Sequence, residues 1–205
     1  MKMNNSFGIG IPTFNRWDLL EESIKRYVID FPNIDIHIYD NGEQNIPENL
    51  GKNVYIHKCG KNIGVAGAWN YLIEKIFEKS EYALILNDDI YFGKQEAHIR
   101  LLVEQQKFDF AVTPLDWCAF VLPKTTWDKI GKFDENFYPA YCEDCDYHLR
   151  MKKKGMNLFK TPFLIPKTYR ASMTMEKNPE LFYKSNYNSL QYFKKKWGKY
   201  PEELL

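Results

Sequence analysis

The sequence predicts an α/β domain with a mixed, mostly parallel central sheet flanked by helices. Three observations predict it. Short apolar runs alternate with amphipathic helical stretches along most of the chain. One run, Tyr82–Leu86, is apolar or nearly so throughout, which suits a strand buried on both faces. That run ends abruptly in Asn87, Asp88 and Asp89, which places two adjacent acids at the rim of the sheet. With 205 residues the chain suffices for one well-buried domain and is short for two, so 1–205 is read as a single domain.

Phe7–Ile11 is the first expected strand, cut off by Pro12. The loop Pro12-Thr13-Phe14-Asn15-Arg16 leads into a helix to about Val28, with Leu19, Leu20, Ser23, Ile24 and Tyr27 on one face and Asn15 as its N-cap, Asp18 standing three residues on. Ile34–Tyr39 alternates as a strand and ends in Asp40-Asn41-Gly42, an acid followed by a turn signal. Val54–His57 is a third strand. The loop Gly60–Gly67 follows, then a helix whose stripe is Trp69, Leu72, Ile73, Ile76 and Phe77. Beyond Tyr82–Leu86 come a helix over Lys94–Gln106, strands over Phe110–Val112 and Trp117–Leu122, and a short helix over Thr125–Ile130 closed by Gly131. Phe133–Phe137 reads as a loop, Cys142–Lys154 as a helix stopped by Gly155, Phe163–Pro166 as an edge strand and Pro179–Trp197 as a terminal helix. The later apolar segments lie closer together, which predicts mixed pairing there.

Ligands of open α/β sheets gather at the carboxyl ends of the strands. Four polar loops (Pro12–Arg16, Asp40–Gly42, Gly60–Gly67 and Asn87–Asp89) are therefore expected to converge on one edge. Asp88 and Asp89 are hard oxygen ligands suited to Mg²⁺ or Mn²⁺ bridging to phosphate; the bland alternative is an ordinary turn. The Gly60–Gly67 loop matches neither a Walker loop nor GxGxxG, and its glycines either shape a helix start or let backbone N–H groups approach a ligand. A second acidic constellation, Tyr141-Cys142-Glu143-Asp144-Cys145-Asp146-Tyr147, opens a helix. Acids there offset the helix dipole, and Asp146 can pair with Arg150. With Cys142, Cys145 and Leu149 on the buried face, Asp144 points away from the core, where a carboxylate can accept a proton from an alcohol. The same dipole weakens it as a base.

A net charge of +1 gives no electrostatic case for nucleic acid, and the clusters Lys152–Lys154 and Lys194–Lys196 read as solvated helix faces. No run reaches the roughly 18–20 apolar residues of a membrane span, and the N-terminus lacks a long apolar signal region, so a cytoplasmic protein is expected. Of the four cysteines only Cys142 and Cys145 are close, and no second pair completes a zinc site, so reduced thiols are expected.

Taken in order and spacing, these motifs resemble family 2 glycosyltransferases of the nucleotide-sugar-dependent GT-A type, Rossmann-like in fold, over roughly Phe7 to Pro166. Ile11–Arg16 resembles that family's opening IPTYNR-like motif and Asp40-Asn41-Gly42 its second-strand acid. Asn62-Ile63-Gly64 with Ala68 and Asn70 resembles its NxG…AxN segment, Asn87-Asp88-Asp89 its DxD motif, and Ile130–Glu135 with Tyr141–Arg150 its GGFDE…EDxDxxxR block. Within the family the chain is more similar to rhamnosyl- and hexosyltransferases than to processive synthases, whose membrane helices and QxxRW-like motif it lacks.

The resemblance implies a UDP-sugar donor, a glycan acceptor and a divalent Mn²⁺ or Mg²⁺. It implies nucleotide contacts from Pro12, Thr13, Phe14, Arg16, Asp40, Asn62, Gly64, Asn70, Asn87 and Asp88, with Asp40 on the uracil ring nitrogen. It implies Asp89, with Asp88, on the metal and Asp144 as general base with Glu143 supporting it or touching the acceptor. Trp117 and Tyr141 would lie near the sugars. Residues 1–115 would form the nucleotide-sugar half and residues 116–205 the acceptor and catalytic half, alone or as part of a longer polypeptide. Two departures stand out. Asn87 replaces the first acid of DxD, and no His follows His148 where many relatives carry one, leaving Arg170 as a substitute cation for the diphosphate. A sugar nucleotidyltransferase and a non-catalytic nucleotide-sugar binder are the alternatives.

Overall fold

In the computed structural model, which describes residues 6–91, 93, 95–105, 108–114, 116–162, 168–169 and 178–205, the apolar runs pair edge to edge. The strands are β1 (Phe7–Thr13), β2 (Ile36–Asp40), β3 (Val54–Lys58), β4 (Tyr82–Leu86), β5 (Ile90–Tyr91), β6 (Phe110–Thr113), β7 (Asp116–Pro123), β8 (Leu158–Lys160) and β9 (Thr168–Tyr169). The helices are α1 (Trp17–Asp30), α2 (Gly64–Phe77), α3 (Glu96–Gln105), α4 (Lys124–Ile130), α5 (Glu143–Lys153) and α6 (Pro179–Trp197), followed by a 3-10 turn over Pro201–Glu203.

Seven strands form one sheet in the order β3-β2-β1-β4-β7-β6-β8. β3, β2, β1 and β4 are parallel, β7 runs against both β4 and β6, and β8 is parallel to β6. The expected mixed, mostly parallel sheet is therefore present. β5 and β9 make a separate antiparallel pair.

β4 is buried on both faces, as its composition predicts. Leu84 and Leu86 join the core under α1 and α3, whereas Ala83 and Ile85 join the core under α2 and α5. Each fully buried Leu or Ile side chain of this kind contributes about 1.5–3 kcal/mol. β1 presents Ile9 and Ile11 to the first core and Gly10 to the second. A Cβ on Gly10 would meet Ile85 Cδ1 at 2.7 Å and Leu72 Cβ at 3.1 Å, so α2 lies close against the sheet because that position is bare. A third apolar cluster (Phe137, Cys142, Leu149 and Phe193) packs α6 against α5.

Several expectations are corrected. Asn15 does not cap α1: the N-cap position is Arg16 without a side-chain cap bond, while Asn15 has φ 53° and its Oδ1 accepts from Glu43 N at 3.0 Å. Asn15 is drawn instead to the turn after β2. β5, β8 and β9, of two or three residues each, are too short to leave a period in the sequence. Lys196 is not merely solvated, since its Nζ lies 2.7 Å from Asp134 Oδ2 and 2.6 Å from Asp146 Oδ1. The expected edge strand at Phe163–Pro166 lies outside the described residues.

Candidate active site

The parallel strands β1 to β4 deliver their carboxyl ends to one edge, where a cleft of about 320 Å³ opens. Each of the four expected loops contributes to it: Pro12 and Thr13, which close β1 because Pro12 does not cut that strand off as expected, with Phe14 after them, then Asn41 after β2, Asn62 after β3, and Asn87, Asp88 and Asp89 after β4. The opposite part of the lining comes from Trp117, Tyr141, Glu143 and Asp144, together with Leu181 of α6. Eleven of the expected site residues thus share one cavity although they span Pro12 to Asp144 in sequence.

Four others stand behind that wall. Arg16 is buried, with Nε and Nη2 each donating to Asp18 at 2.8 Å. Asp40 is buried; its Oδ1 accepts from Gly42 N at 2.9 Å and Gln44 Nε2 at 3.1 Å, and its Oδ2 lies 3.3 Å from Lys58 Nζ. Asn70 donates to Phe133 O and Glu135 Oε1, each at 2.9 Å, and accepts from Phe133 N at 2.8 Å, which staples the 133–135 loop to α2. Gly64, at φ +77°, packs under the loop before α5: a Cβ there would meet Pro139 O and Tyr138 Cδ2, both at 3.0 Å. Arg170 lies outside the described residues.

The sequence marks Asn41 and Val65 only as members of expected strand-end loops, and it does not single out Trp69, Pro139, Ala140 or Leu181. Asn41 was legible only as a turn residue. In the fold its Nδ2 donates to Gly64 O at 3.1 Å and its Oδ1 accepts from Ile63 N at 3.0 Å, locking the start of α2 to the end of β2. Val65 and Trp69 lie one turn apart on α2, and nothing local distinguishes them from core residues.

Two carboxyl pairs dominate the electrostatics. Burial pushes Asp88 up to about 7 against the opposing hydrogen bond from Thr13 Oγ1 at 2.8 Å. Burial also raises Asp89 to about 6, and its Oδ1 is buried with no hydrogen-bond partner among the described residues. The charge of Arg16 works the other way on both. In the second pair, Glu143 is 6% exposed and its acid is raised well above the usual range by burial and then by the charge of Asp144. Asp144 Oδ1 accepts from Cys145 N at 2.7 Å. The pair is delivered by an unusual backbone: Tyr141 and Cys142 take φ of 80° and 64°, positions that bulky side chains seldom occupy. Behind it Asp146 is fully buried and accepts from Arg150 Nε and Trp197 Nε1, each at 2.9 Å, which pins α5 to α6. The expected Asp146–Arg150 pair is present.

The family model of glycosyl transferase family 2 matches residues 8–129 of the 205. The chain belongs to that family. The match runs from β1 through the Asn87-Asp88-Asp89 corner and ends before Glu143 and Asp144, so the second pair rests on its own geometry. No curated protein matches the sequence. Among solved structures the chain is similar to GalNAc-T7 with UDP, GalNAc and Mn²⁺, at TM-score 0.60 and 10% identity, covering 83% of this chain and 44% of that one. It is also similar to the catalytic domain of Drosophila β1,4-galactosyltransferase 7 in complex with xylobiose, at TM-score 0.52 and 9% identity, covering 76% of this chain and 64% of that one. A mutant of the latter was solved with manganese, UDP-Gal and xylobiose. These similarities give the family 2 chain a glycosyltransferase fold of the GT-A kind. The chain spans less than two thirds of the length of either protein. Among the described residues no helix is long and apolar enough to cross a membrane.

Proposed function

We propose that the protein is an inverting glycosyltransferase that moves a hexose or deoxyhexose, glucose- or rhamnose-like, from a UDP-sugar to a hydroxyl of a glycan acceptor. The observation that carries this reading is one cleft lined both by the strand-end acids Asp88 and Asp89 and by the helix-start acids Glu143 and Asp144. Family membership and the UDP, sugar and Mn²⁺ of the similar structures support it.

In this reading Pro12, Thr13, Phe14, Asn62 and Asn87 line the nucleotide side, while Arg16, Asp40, Gly64 and Asn70 hold the wall in shape from behind. Residues 1–115 bind the donor, and residues 116–205 carry the acceptor side. Asp89, with a buried oxygen unpaired among the described residues, and Asp88 beside it fit a divalent cation, Mn²⁺ or Mg²⁺. No group of three or more His, Cys, Asp or Glu side chains converges among the described residues, so water and phosphate oxygens would complete the shell. When bound, the cation offsets charge on the departing diphosphate. Burial favours the neutral form of Glu143, which assigns proton acceptance to Asp144. Asp144 takes the proton of the acceptor hydroxyl as that oxygen attacks the anomeric carbon from the face opposite the diphosphate, which inverts the centre. Trp117 and Tyr141 offer aromatic faces to the sugars. A reducing, cytoplasmic setting is proposed for the chain, in which its four cysteines stay as thiols.

The test is sugar release or transfer from a panel of UDP-sugars with Mn²⁺. Transfer that survives Asp144→Asn would sink the assigned base. A second reading, a nucleotide-sugar binder without turnover, is favoured by Asn87 in place of an acid. UDP binding with no sugar release across varied acceptors would select it.

A further inference from the structure

Trp69 stands one helical turn after Val65 on the face of α2 that lines the cleft. It is 3% exposed, and Phe120 and Phe133 clamp its ring edge-on, each with centroids at 5.1 Å. The ring is therefore fixed. Its Nε1–H is buried with no hydrogen-bond partner among the described residues. An indole nitrogen only donates, and a buried donor left unpaired costs about 1–3 kcal/mol. Glu143 also lines this cleft, and its Oε2 is likewise buried and unpartnered among the described residues. Each group calls for an occupant, and one chemistry serves both. A hydroxyl accepts from an indole N–H with a lone pair and pairs with a carboxyl oxygen in either protonation state. A cation would suit Glu143 but not the indole. A phosphate would set its charge against Asp144.

Resting on the proposed glycosyltransferase reading, we infer that Trp69 is a specificity-determining residue whose Nε1–H, together with Glu143 Oε2, holds a hydroxyl of a sugar bound in the cleft. The hydroxyl belongs to the donor sugar or to the acceptor, and the experiment separates the two.

Calorimetry with Mn²⁺ compares wild type and Trp69→Phe for bare UDP and for UDP-glucose, UDP-galactose, UDP-GlcNAc and UDP-rhamnose. The expected result is a roughly tenfold loss for the sugar nucleotide that wild type binds best, with UDP affinity kept within about twofold. If the hydroxyl is the acceptor's, UDP-sugar affinity and donor hydrolysis hold, and the KM for an acceptor glycoside rises by that factor with kcat little changed. Equal losses for UDP and UDP-sugars overturn the inference. So does no change in either constant, above all with a raised Tm, which would mark the indole as an unsatisfied core group. Retained UDP binding shows that the variant is folded. If Trp69→Phe does not fold, Glu143→Leu must show the sugar-selective loss and Glu143→Gln must recover most of it. A wild type that binds no UDP overturns the proposed function too, whereas UDP-sugar binding unaffected by these variants overturns this inference alone.

Discussion

At the scale of single residues, the cleft gathers four carboxyl groups, Asp88, Asp89, Glu143 and Asp144, whose surroundings set them apart. Glu143 is buried with Oε2 unpaired among the described residues, and Asp144 follows it on the same first turn of α5. Asp144→Asn should lower transfer by about 10²–10⁴-fold, the scale of a lost general base, with UDP affinity unchanged by calorimetry. Gly64 carries a different constraint. Ala at that position would combine φ +77° with a Cβ at 3.0 Å from Pro139 O. Gly64→Ala should therefore destabilise by more than about 1 kcal/mol and loosen the segment leading to α5, measured by urea unfolding. A smaller cost is expected at Gly60, also at positive φ, if Asn is placed there, because Asn tolerates that conformation better than Ala and nothing among the described residues lies within 4 Å of its added Cβ.

At the scale of elements, α2 organises the site. It leans on Gly10, is tied at its start by Asn41, and carries Asn70, which satisfies both backbone groups of Phe133. Asn70→Ala would leave that N–H and C=O unpaired inside the core. A loss of about 2–4 kcal/mol in denaturant unfolding is expected, together with weaker transfer as the 133–135 loop shifts. The outer strands hold a pH-sensitive pair. His37 on β2 lies with Nδ1 3.0 Å from His57 Nε2 on β3, and the two rings stack. Burial first, then the charge of His57, lowers His37 to about 4; Lys79 acts in the same direction, and Asp35 and Glu78 oppose it. The unfolded chain, with an ordinary histidine near 6.5, binds the proton more readily than the fold does. Stability is therefore full above about 6.5 and declines as pH falls towards 4, by up to about 3 kcal/mol for this group. His37→Phe should flatten that slope in melts taken between pH 4 and 7; an unchanged slope would assign the loss elsewhere.

At the scale of the molecule, one sheet continues from the half proposed to bind the nucleotide into the half proposed to carry the acceptor side through the β4–β7 pairing, and α6 packs on α5 from the far end of the chain. Leu181 reaches the cleft, Ser189 Oγ donates to Ala140 O at 2.8 Å, and Trp197 and Lys196 converge on buried Asp146. Phe193→Ala should cost about 3–5 kcal/mol, because the ring is fully buried between α6 and α5. A donor that binds only the folded state must raise Tm with its concentration, by about 2.7 kcal/mol of stability at a hundredfold excess over Kd. UDP with Mn²⁺ is expected to shift the melt in this way, and Asp89→Ala to remove the part of the shift that depends on the cation.

Much of this fold and half of its site could be read directly from the chain. Uninterrupted apolar β4, amphipathic α1 and α2, and the four polar strand ends are local patterns, because burial on one or two faces imposes its period on neighbouring residues. A parallel arrangement then forces those ends to one edge, so Thr13, Asn62, Asp88 and Asp89 were legible as companions before any contact was known. What only the tertiary structure decided is which polar groups reach the cavity. Arg16, Asp40 and Asn70 carry the expected residue types, yet none lines the cavity, and the chain's own hydrogen bonds engage Arg16 Nε, Asp40 Oδ1 and the Asn70 amide. Trp69 reads locally as one more apolar residue of a helical stripe, and only the fold, which packs Phe120 and Phe133 around it, shows it lining the cleft with its N–H buried and unpaired among the described residues. Burial and hydrogen-bond satisfaction are sums over neighbours distant in sequence, and no local period records them.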